Sequence, residues 1–367
     1  MGVQSKLIEA ASPAQRHRPR ATRVMVVDDS LTVRSILARL IDAEPDLEIV
    51  AKASSAELAL QQLAKTPADV VLLDLEMPGM GGLVALPKIL AANDTTQVLV
   101  VSSLTQDHAE DTLAALSMGA ADTMAKPQSG EFGAEYCATL FAKIRALGRN
   151  RAGNTSSAIP AAPSARKYGY QPQMPELLAI GASTGGIHAM CILLRNLPAH
   201  LNIPILITQH LPASFMGVFA RQLAIASSRN ALVAEDGMAI TGNSIFVAPG
   251  EGHLTVQRTA SGLIAKITHQ TMPSGCMPSV DPMLESVARA TEGRAIGVIL
   301  SGMGRDGALG ARTLVESGGN ILAQDEESSS VWGMPGAVAG EGLASATLPP
   351  EKLAASILAS MGAAAWK

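Results

Sequence analysis

The chain has 367 residues, of which 47% are hydrophobic and 16% charged, with a net charge of −4. That length allows two cores of ordinary domain size, and the charge balance excludes a general electrostatic pull toward nucleic acid. Cys137, Cys191 and Cys276 have neither a metal-site spacing nor the number of a disulfide framework, so they read as buried free thiols in a reducing compartment. The N-terminus has Lys6 but no apolar stretch after it. No secretory signal is therefore expected, and the protein is expected to be cytoplasmic.

Residues 1–21 read as a flexible tail, with Arg16-His17-Arg18-Pro19-Arg20 a short basic stretch interrupted by proline. A first domain follows over residues 22–146. Between residues 23 and 126 short apolar runs alternate with helical patterns, and Val24-Met25-Val26-Val27, residues 47–50, Val70-Val71-Leu72-Leu73 and Val98-Leu99-Val100-Val101 are the clearest strands. Such alternation predicts a parallel sheet covered on both faces. Asp28 and Asp29 follow the first run and Asp74 the third. Carboxylates gathered at one sheet edge repel unless a hard cation joins them, which predicts a Mg²⁺ pocket. Ser102 ends the fourth run and Lys126 follows the fifth, so a hydroxyl and an ammonium suited to a phosphoryl group are expected there too.

Residues 147–173 form the expected linker, within an Ala-, Ser-, Pro- and Gly-rich stretch that also carries Arg149, Arg151, Arg166 and Lys167. The second domain spans residues 174–367. Its longest uncharged stretch, residues 177–194, approaches membrane-span length, but its Gly, Ser, Thr and His content reads as strand, turn and helix. Ser183 lies in Gly181-Ala182-Ser183-Thr184-Gly185-Gly186 just after Leu177-Leu178-Ala179-Ile180, and His210 ends Ile203-Pro204-Ile205-Leu206-Ile207-Thr208-Gln209. Asp306 lies in Ser301-Gly302-Met303-Gly304-Arg305-Asp306-Gly307, past the run Ala295-Ile296-Gly297-Val298-Ile299-Leu300. Strand ends of an open parallel sheet share one edge, so the three can converge.

A serine hydroxyl needs a base, and the base a group that fixes its tautomer, which makes Ser183, His210 and Asp306 the candidate nucleophile, base and orienting carboxylate. Taken singly, the serine also fits a helix cap or phosphate cradle, and the aspartate a turn. The order Ser, His, Asp disfavours the α/β-hydrolase elbow, whose order is Ser, Asp or Glu, His. A Walker loop lacks its Lys-Ser/Thr ending here, and a dinucleotide fingerprint lacks its glycine spacing. His188 reads as a helix-surface residue and His253 as part of a turn, while Trp332-Gly333-Met334-Pro335 is expected to wall the site.

The second domain resembles the catalytic domain of the chemotaxis protein-glutamate methylesterases. The likeness rests on the Ser183 loop, Gln209-His210-Leu211-Pro212, Pro278-Ser279-Val280-Asp281, residues 300–307 and Val331-Trp332-Gly333-Met334-Pro335. The resemblance implies a doubly wound α/β domain with a mainly parallel sheet, a Ser183-His210-Asp306 triad with no cofactor at the esterase site, and an oxyanion hole using the Met303 backbone N–H. It also implies demethylation of glutamyl methyl esters on methyl-accepting chemotaxis receptors, and deamidation of selected glutamines by the same acyl chemistry. Met277 stands where the family commonly has a basic residue.

The first domain is similar to two-component receivers, through Val27-Asp28-Asp29-Ser30, residues 73–80, Val101-Ser102-Ser103 and Lys126-Pro127. That resemblance implies a flavodoxin-like (βα)5 fold with Asp74 as phosphoacceptor. It further implies Mg²⁺ held by Asp29, Asp74 and the Glu76 carbonyl, Asp28 acting through water, and Ser102 and Lys126 on the phosphoryl oxygens. Gly81 replaces a frequent Asp, and Thr123 a frequent aromatic residue. A chemotaxis histidine kinase is the implied phosphodonor, phosphorylation is implied to relieve a block by the receiver, and contact with membranes is expected only through the receptors. Two other readings compete: a receiver-gated binding protein with a vestigial hydrolase site, and a transcription regulator, for which no basic helix-turn-helix appears.

Overall fold

The computed structural model describes residues 20–102, 108–126, 132–149 and 174–361. Most of the expected tail and linker, with Ser103, Pro127 and the last six residues, lies outside the described residues.

The first domain runs β1 (Thr22–Val27), α1 (Leu31–Asp42), β2 (Leu47–Ala53), α2 (Ala56–Leu63), β3 (Val70–Leu73), α3 (Gly81–Ala92), β4 (Gln97–Ser102), α4 (Ala109–Met118), β5 (Asp122–Ala125) and α5 (Ala134–Arg149). Its strands pair in the order β2-β1-β3-β4-β5, every pair parallel. This is the flavodoxin-like order, with helices on both faces. All four residues of β3 are buried, which is why the strand reads as an unbroken apolar run rather than an alternating one. Gly81 has φ +69, a left-handed conformation that glycine adopts without the steric cost of a Cβ.

The second domain opens with β6 (Leu177–Ala182), α6 (Gly186–Arg195), β7 (Ile205–Gln209), α7 (Ala213–Ser227), β8 (Asn230–Val233), β9 (Ala239–Ile240) and β10 (Ser244–Val247). It continues through β11 (His253–Thr259), β12 (Gly262–Thr268), α8 (Val280–Thr291), β13 (Ala295–Ile299), α9 (Ala308–Glu316), β14 (Asn320–Gln324), α10 (Met334–Gly340), β15 (Ala346–Leu348) and α11 (Pro350–Ser360). Seven strands form one sheet in the order β15-β14-β13-β6-β7-β10-β8, all parallel. Helix α7 places Phe215, Phe219 and Leu223 in the core at successive i, i+4 positions. Burying each such side chain stabilises the fold by roughly 1.5–3 kcal/mol.

A three-stranded antiparallel sheet, β11-β12-β9, is the element the sequence reading lacked. It lies against α8, and Val256 N–H donates to the Ser286 hydroxyl across that contact. Among the described residues no helix is long and apolar enough to cross a membrane. The uncharged stretch 177–194 forms β6, the glycine loop and most of α6.

The two domains touch directly. Helix α4 of the first packs on α6 and α7 of the second, where His188 Nδ1–H donates to the Ser117 carbonyl at 2.8 Å and Arg221 pairs with Glu110. His188 is thus a half-buried interface residue rather than a free helix-surface one.

Candidate active site and phosphoryl pocket

Strands β13, β6 and β7 are neighbours in the sheet. Ser183 leaves the end of β6, His210 the end of β7, and Asp306 comes from the loop between β13 and α9. All three are therefore carried to one sheet edge. The chain turns sharply at Gly185, whose φ is +78 and whose hypothetical Cβ would stand 2.5 Å from Ser330 Cβ. Close approach also explains Gly302, where a Cβ would fall 2.3 Å from Met334 Sδ and 2.9 Å from Ser183 Cβ. The two glycine loops are thus packed face to face around Ser183.

His210 Nε2–H donates to Asp306 Oδ2 at 2.8 Å. With Nε2 engaged, Nδ1 is the nitrogen left to accept a proton. No hydrogen bond joins Ser183 to His210 among the described residues; catalytic hydrogen bonds commonly form only once substrate is bound. Burial works against the charged imidazole, but hydrogen bonds to Asp306 and then Cys276 outweigh it and lift the His210 pKa to about 9.

Asp306 is held from four sides. Val280 N–H donates to Oδ2 at 2.7 Å, Ser279 Oγ–H to Oδ1 at 2.6 Å, and Asp281 N–H lies 3.5 Å from Oδ1, completing the set with His210. The backbone donors are the first N–H groups of α8, so the carboxylate sits on a helix N-terminus, where orphan donors and the helix dipole favour negative charge. Burial alone would raise the Asp306 pKa, yet these donors carry it well below the usual carboxylate range. Asp281 answers in kind, accepting from Gly310 N–H in the first turn of α9. Burial, together with the Asp306 charge, pushes the Asp281 pKa up, to about 6.

Sequence reasoning assigned Ser279 no role beyond its motif and His253 none beyond a turn, yet both support the Asp306 carboxylate. Ser279 precedes α8 and reads as its cap, but its hydroxyl turns to Asp306 instead of its own helix. His253 is fully buried. Its Nδ1 accepts from Ser279 N–H, which leaves Nε2–H to donate to the Gln270 carbonyl. Turn chemistry therefore does not describe His253; it props the residue that props the carboxylate. Hydrogen bonds to a charged group are worth about 1.5–3 kcal/mol, so Ser279→Ala is expected to lower kcat/KM by about tenfold or more, with Ser279→Thr restoring most of it. Steady-state methanol release by the three proteins decides this, and an unchanged Ser279→Ala would remove Ser279 from the site.

Ser183 N–H is spent on the Ser301 carbonyl, while neither Met303 N–H nor Thr184 N–H has a protein acceptor among the described residues. Met303 is 43% exposed. Gln209 holds the nucleophile loop by donating Nε2–H to the Ser183 carbonyl. The Trp332 segment joins the Ser301 loop, with Gly333 and Met334 N–H groups on the Gly302 carbonyl. The three cysteines are free. Only Cys191 is buried, because the other two lie on a helix flank and in the loop before α8.

In the first domain, Asp28, Asp29 and Asp74 each bring a carboxylate oxygen within 4.8 Å of the others. Lys126 Nζ stands 2.6 Å from Asp74 and 3.1 Å from Asp28. Burial raises the Asp74 pKa against the pull of Lys126. Lys126 itself is lifted, since its bond to Asp74 outweighs its own burial. Asp28 Oδ2 is buried, with the Lys126 ammonium as its ion-pair partner. Three carboxylates in an all-oxygen cluster are the donor type that Mg²⁺ takes. Glu76 N–H caps Asp74, and the Ser102 hydroxyl bonds Thr112 of α4 at 2.9 Å. Thr123 is buried with its hydroxyl unpartnered.

The domain contact reaches the nucleophile loop itself. Asp122 at the start of β5 accepts from the Thr184 hydroxyl, and the Ala121 carbonyl accepts from Gly185 N–H.

A receiver pocket joined to a serine-type hydrolase site defines the class of protein. Residues 24–133 match the response regulator receiver domain, and residues 178–357 match the CheB methylesterase family. Protein-glutamate methylesterase/protein-glutamine glutaminase 1 of Paramagnetospirillum magneticum is 38% identical over 377 residues, covering 96% of this chain and 98% of the relative. The corresponding protein 2 of Caulobacter vibrioides is 44% identical over 336 residues, with 90% and 96% covered. The crystal structure of the Thermotoga maritima CheB methylesterase catalytic domain is 32% identical, covers 50% of this chain and 98% of its own, and has a TM-score of 0.49. This chain belongs to the protein-glutamate methylesterase/protein-glutamine glutaminase family.

Proposed function

We propose that the chain is a phosphorylation-gated serine hydrolase that demethylates glutamyl methyl esters on methyl-accepting chemotaxis receptors and converts selected receptor glutamines to glutamate. The observation that carries the reading is the Asp306–His210 pair, 2.8 Å apart, at the sheet edge that also presents Ser183. Ser183 Oγ attacks the ester carbonyl as His210 Nδ1 takes its proton. The Met303 N–H, joined by Thr184 N–H, faces the oxyanion. One such donor is typically worth about 3 kcal/mol of barrier. The imidazolium returns its proton to the departing methanol, or to ammonia from an amide. Water then attacks the acyl-enzyme and leaves the glutamate carboxylate. Intact catalytic groups held by four donors disfavour a vestigial site.

In the receiver, 22–146, Asp74 is the phosphoacceptor and a chemotaxis histidine kinase its donor. Asp28, Asp29, Asp74 and the Glu76 carbonyl would hold Mg²⁺, which supplies charge neutralisation for phosphoryl transfer. A phosphoryl group on Asp74 draws Ser102 away from Thr112 on α4, and Lys126 at the end of β5 toward itself. The start of β5 bears on Thr184 and Gly185, and α4 on the α6 helix that follows them, so the pull loosens the clamp beside Ser183. Three free thiols suit the cytoplasm, where receptor adaptation regions meet the kinase.

A small phosphodonor with Mg²⁺ is expected to raise methanol release from methylated receptor membranes by about tenfold, a coupling of about 1.4 kcal/mol. Asp74→Ala is expected to ignore the donor. A donor response that survives in Asp74→Ala would sink the gating scheme, and methanol release absent from every form would sink the esterase reading.

A further inference from the structure

Cys276 enters none of these steps, yet it lies beside them. One ligand atom each from His210, Cys276 and Asp306 falls within 4.8 Å of the other two. An imidazole nitrogen, a thiolate sulfur and a carboxylate oxygen are the donor types Zn²⁺ takes in sites with three protein ligands and an open fourth position. With Zn–N and Zn–O near 2.1 Å and Zn–S near 2.3 Å, ligand atoms on one tetrahedral ion stand about 3.5 Å apart. On such an ion the His210–Asp306 pair, 2.8 Å apart, must open by about 0.7 Å, and Cys276 Sγ must settle at about 3.5 Å from each.

The loop permits that movement. Cys276 Sγ is tied to the backbone by a 3.7 Å contact to the Ser274 carbonyl. Gly275, one residue before, has φ +70 and open space around it. His210 and Asp306 already stand side by side, 2.8 Å apart, and need only part slightly to admit an ion between them. The receiver cluster of Asp28, Asp29 and Asp74 is all oxygen and suits a harder ion. The two sites therefore select different metals.

We propose that His210, Cys276 and Asp306 form a Zn²⁺ site, and that filling it stops the hydrolase. Binding releases the thiol proton of Cys276 to solvent, while the neutral imidazole keeps its single proton on whichever nitrogen the ion does not take. An imidazole with metal on one nitrogen keeps its proton on the other, so whichever nitrogen is ligated, His210 accepts nothing from Ser183. The block rests on His210 as the base; the binding does not.

Co²⁺ serves as the probe, added to the full chain with Mg²⁺ in excess. A thiolate-to-Co²⁺ absorption band saturating at one equivalent is expected, lost in Cys276→Ser and displaced by Zn²⁺. Zn²⁺, but not Mg²⁺, should slow alkylation of the Cys276 thiol. Methanol release should fall at least tenfold as Zn²⁺ fills the site and recover with a chelator, while Cys276→Ser, whatever its own rate, should show no further loss. No band, or a band unchanged in Cys276→Ser and so owed to Cys137 or Cys191, overturns the site. A Cys276-dependent band with undiminished methanol release overturns the block alone. Activity persisting in Ser183→Ala would instead defeat the triad and leave the band untouched.

Discussion

Methanol release by Ser183→Ala is expected to fall by about 10⁴-fold or more, His210→Ala to fall comparably, and the double variant to be no slower than the slower single. Groups that act as a unit lose their joint contribution when either is removed, so the losses do not add. The residue of activity would come from the proposed Met303 and Thr184 donors and from receptor binding, which both variants would retain. Ser183 lies between packed glycine loops and loses only a hydroxyl, so Ser183→Ala keeps its fold; circular dichroism and receptor co-sedimentation verify this beside the rate. Losses that multiplied in the double variant would mean that the two side chains act in separate steps, and the triad would have to be abandoned.

Much of this site was legible because its members stand at the ends of apolar runs. Val70-Val71-Leu72-Leu73 became β3 without change of bounds, and the runs before Ser183 and His210 became β6 and β7, since a strand buried on both faces has no alternative reading in so short a stretch. Asp28, Asp74 and Lys126 likewise sit together where strand ends meet. Contacts bridging long sequence separations were not legible. The Ser279–Asp306 bond spans 27 residues and the Ser279–His253 bond 26. Nothing local distinguishes Ser279 from an ordinary helix cap, or His253 from a residue in a glycine-rich turn. The β11-β12-β9 sheet escaped for a related reason: half-buried strands such as His253–Thr259 mix polar and apolar residues too loosely to announce a period of two. Cys276 carried no signal at all, since its meaning depends on a loop reaching back over His210.

The domain contact changes how the gating should be understood. A receiver that merely covered a cleft would act through access alone. Here the Ala121 carbonyl and Asp122 carboxylate bind the two residues that follow Ser183. Asp122 is also tied to Lys143 of α5, so the start of β5 links the receiver's last helix to the nucleophile loop. A contact of that kind would let a charge placed at Asp74 alter the geometry of attack as well as the path to it.

Asp306→Asn is expected to lose about 10²-fold or more in kcat/KM on its high-pH plateau, and to lose less near neutrality. Four donors address the two Asp306 oxygens, and an amide has only one acceptor to offer them. The Ser279 hydroxyl can rotate to accept, whereas His210 Nε2–H and Val280 N–H, both on Oδ2, cannot. The amide NH₂ therefore turns toward Ser279 and the carbonyl toward His210, which keeps the tautomer and removes only the charge. Without that charge the His210 pKa should fall from about 9 to its ordinary 6.5 or below. At about 1.4 kcal/mol per pH unit, the imidazolium formed during attack loses roughly 3 kcal/mol. The sign of the pH effect follows from the base being the neutral form. In the native protein kcat/KM should rise with pH and level off near 9, because below that pH the imidazole is already protonated. In Asp306→Asn the same limb should level off at 6.5 or lower, so the two curves approach each other as pH falls. Profiles of methanol release from pH 5 to 10 test this. A variant curve parallel to the native one would show that Asp306 does not set the proton affinity of His210.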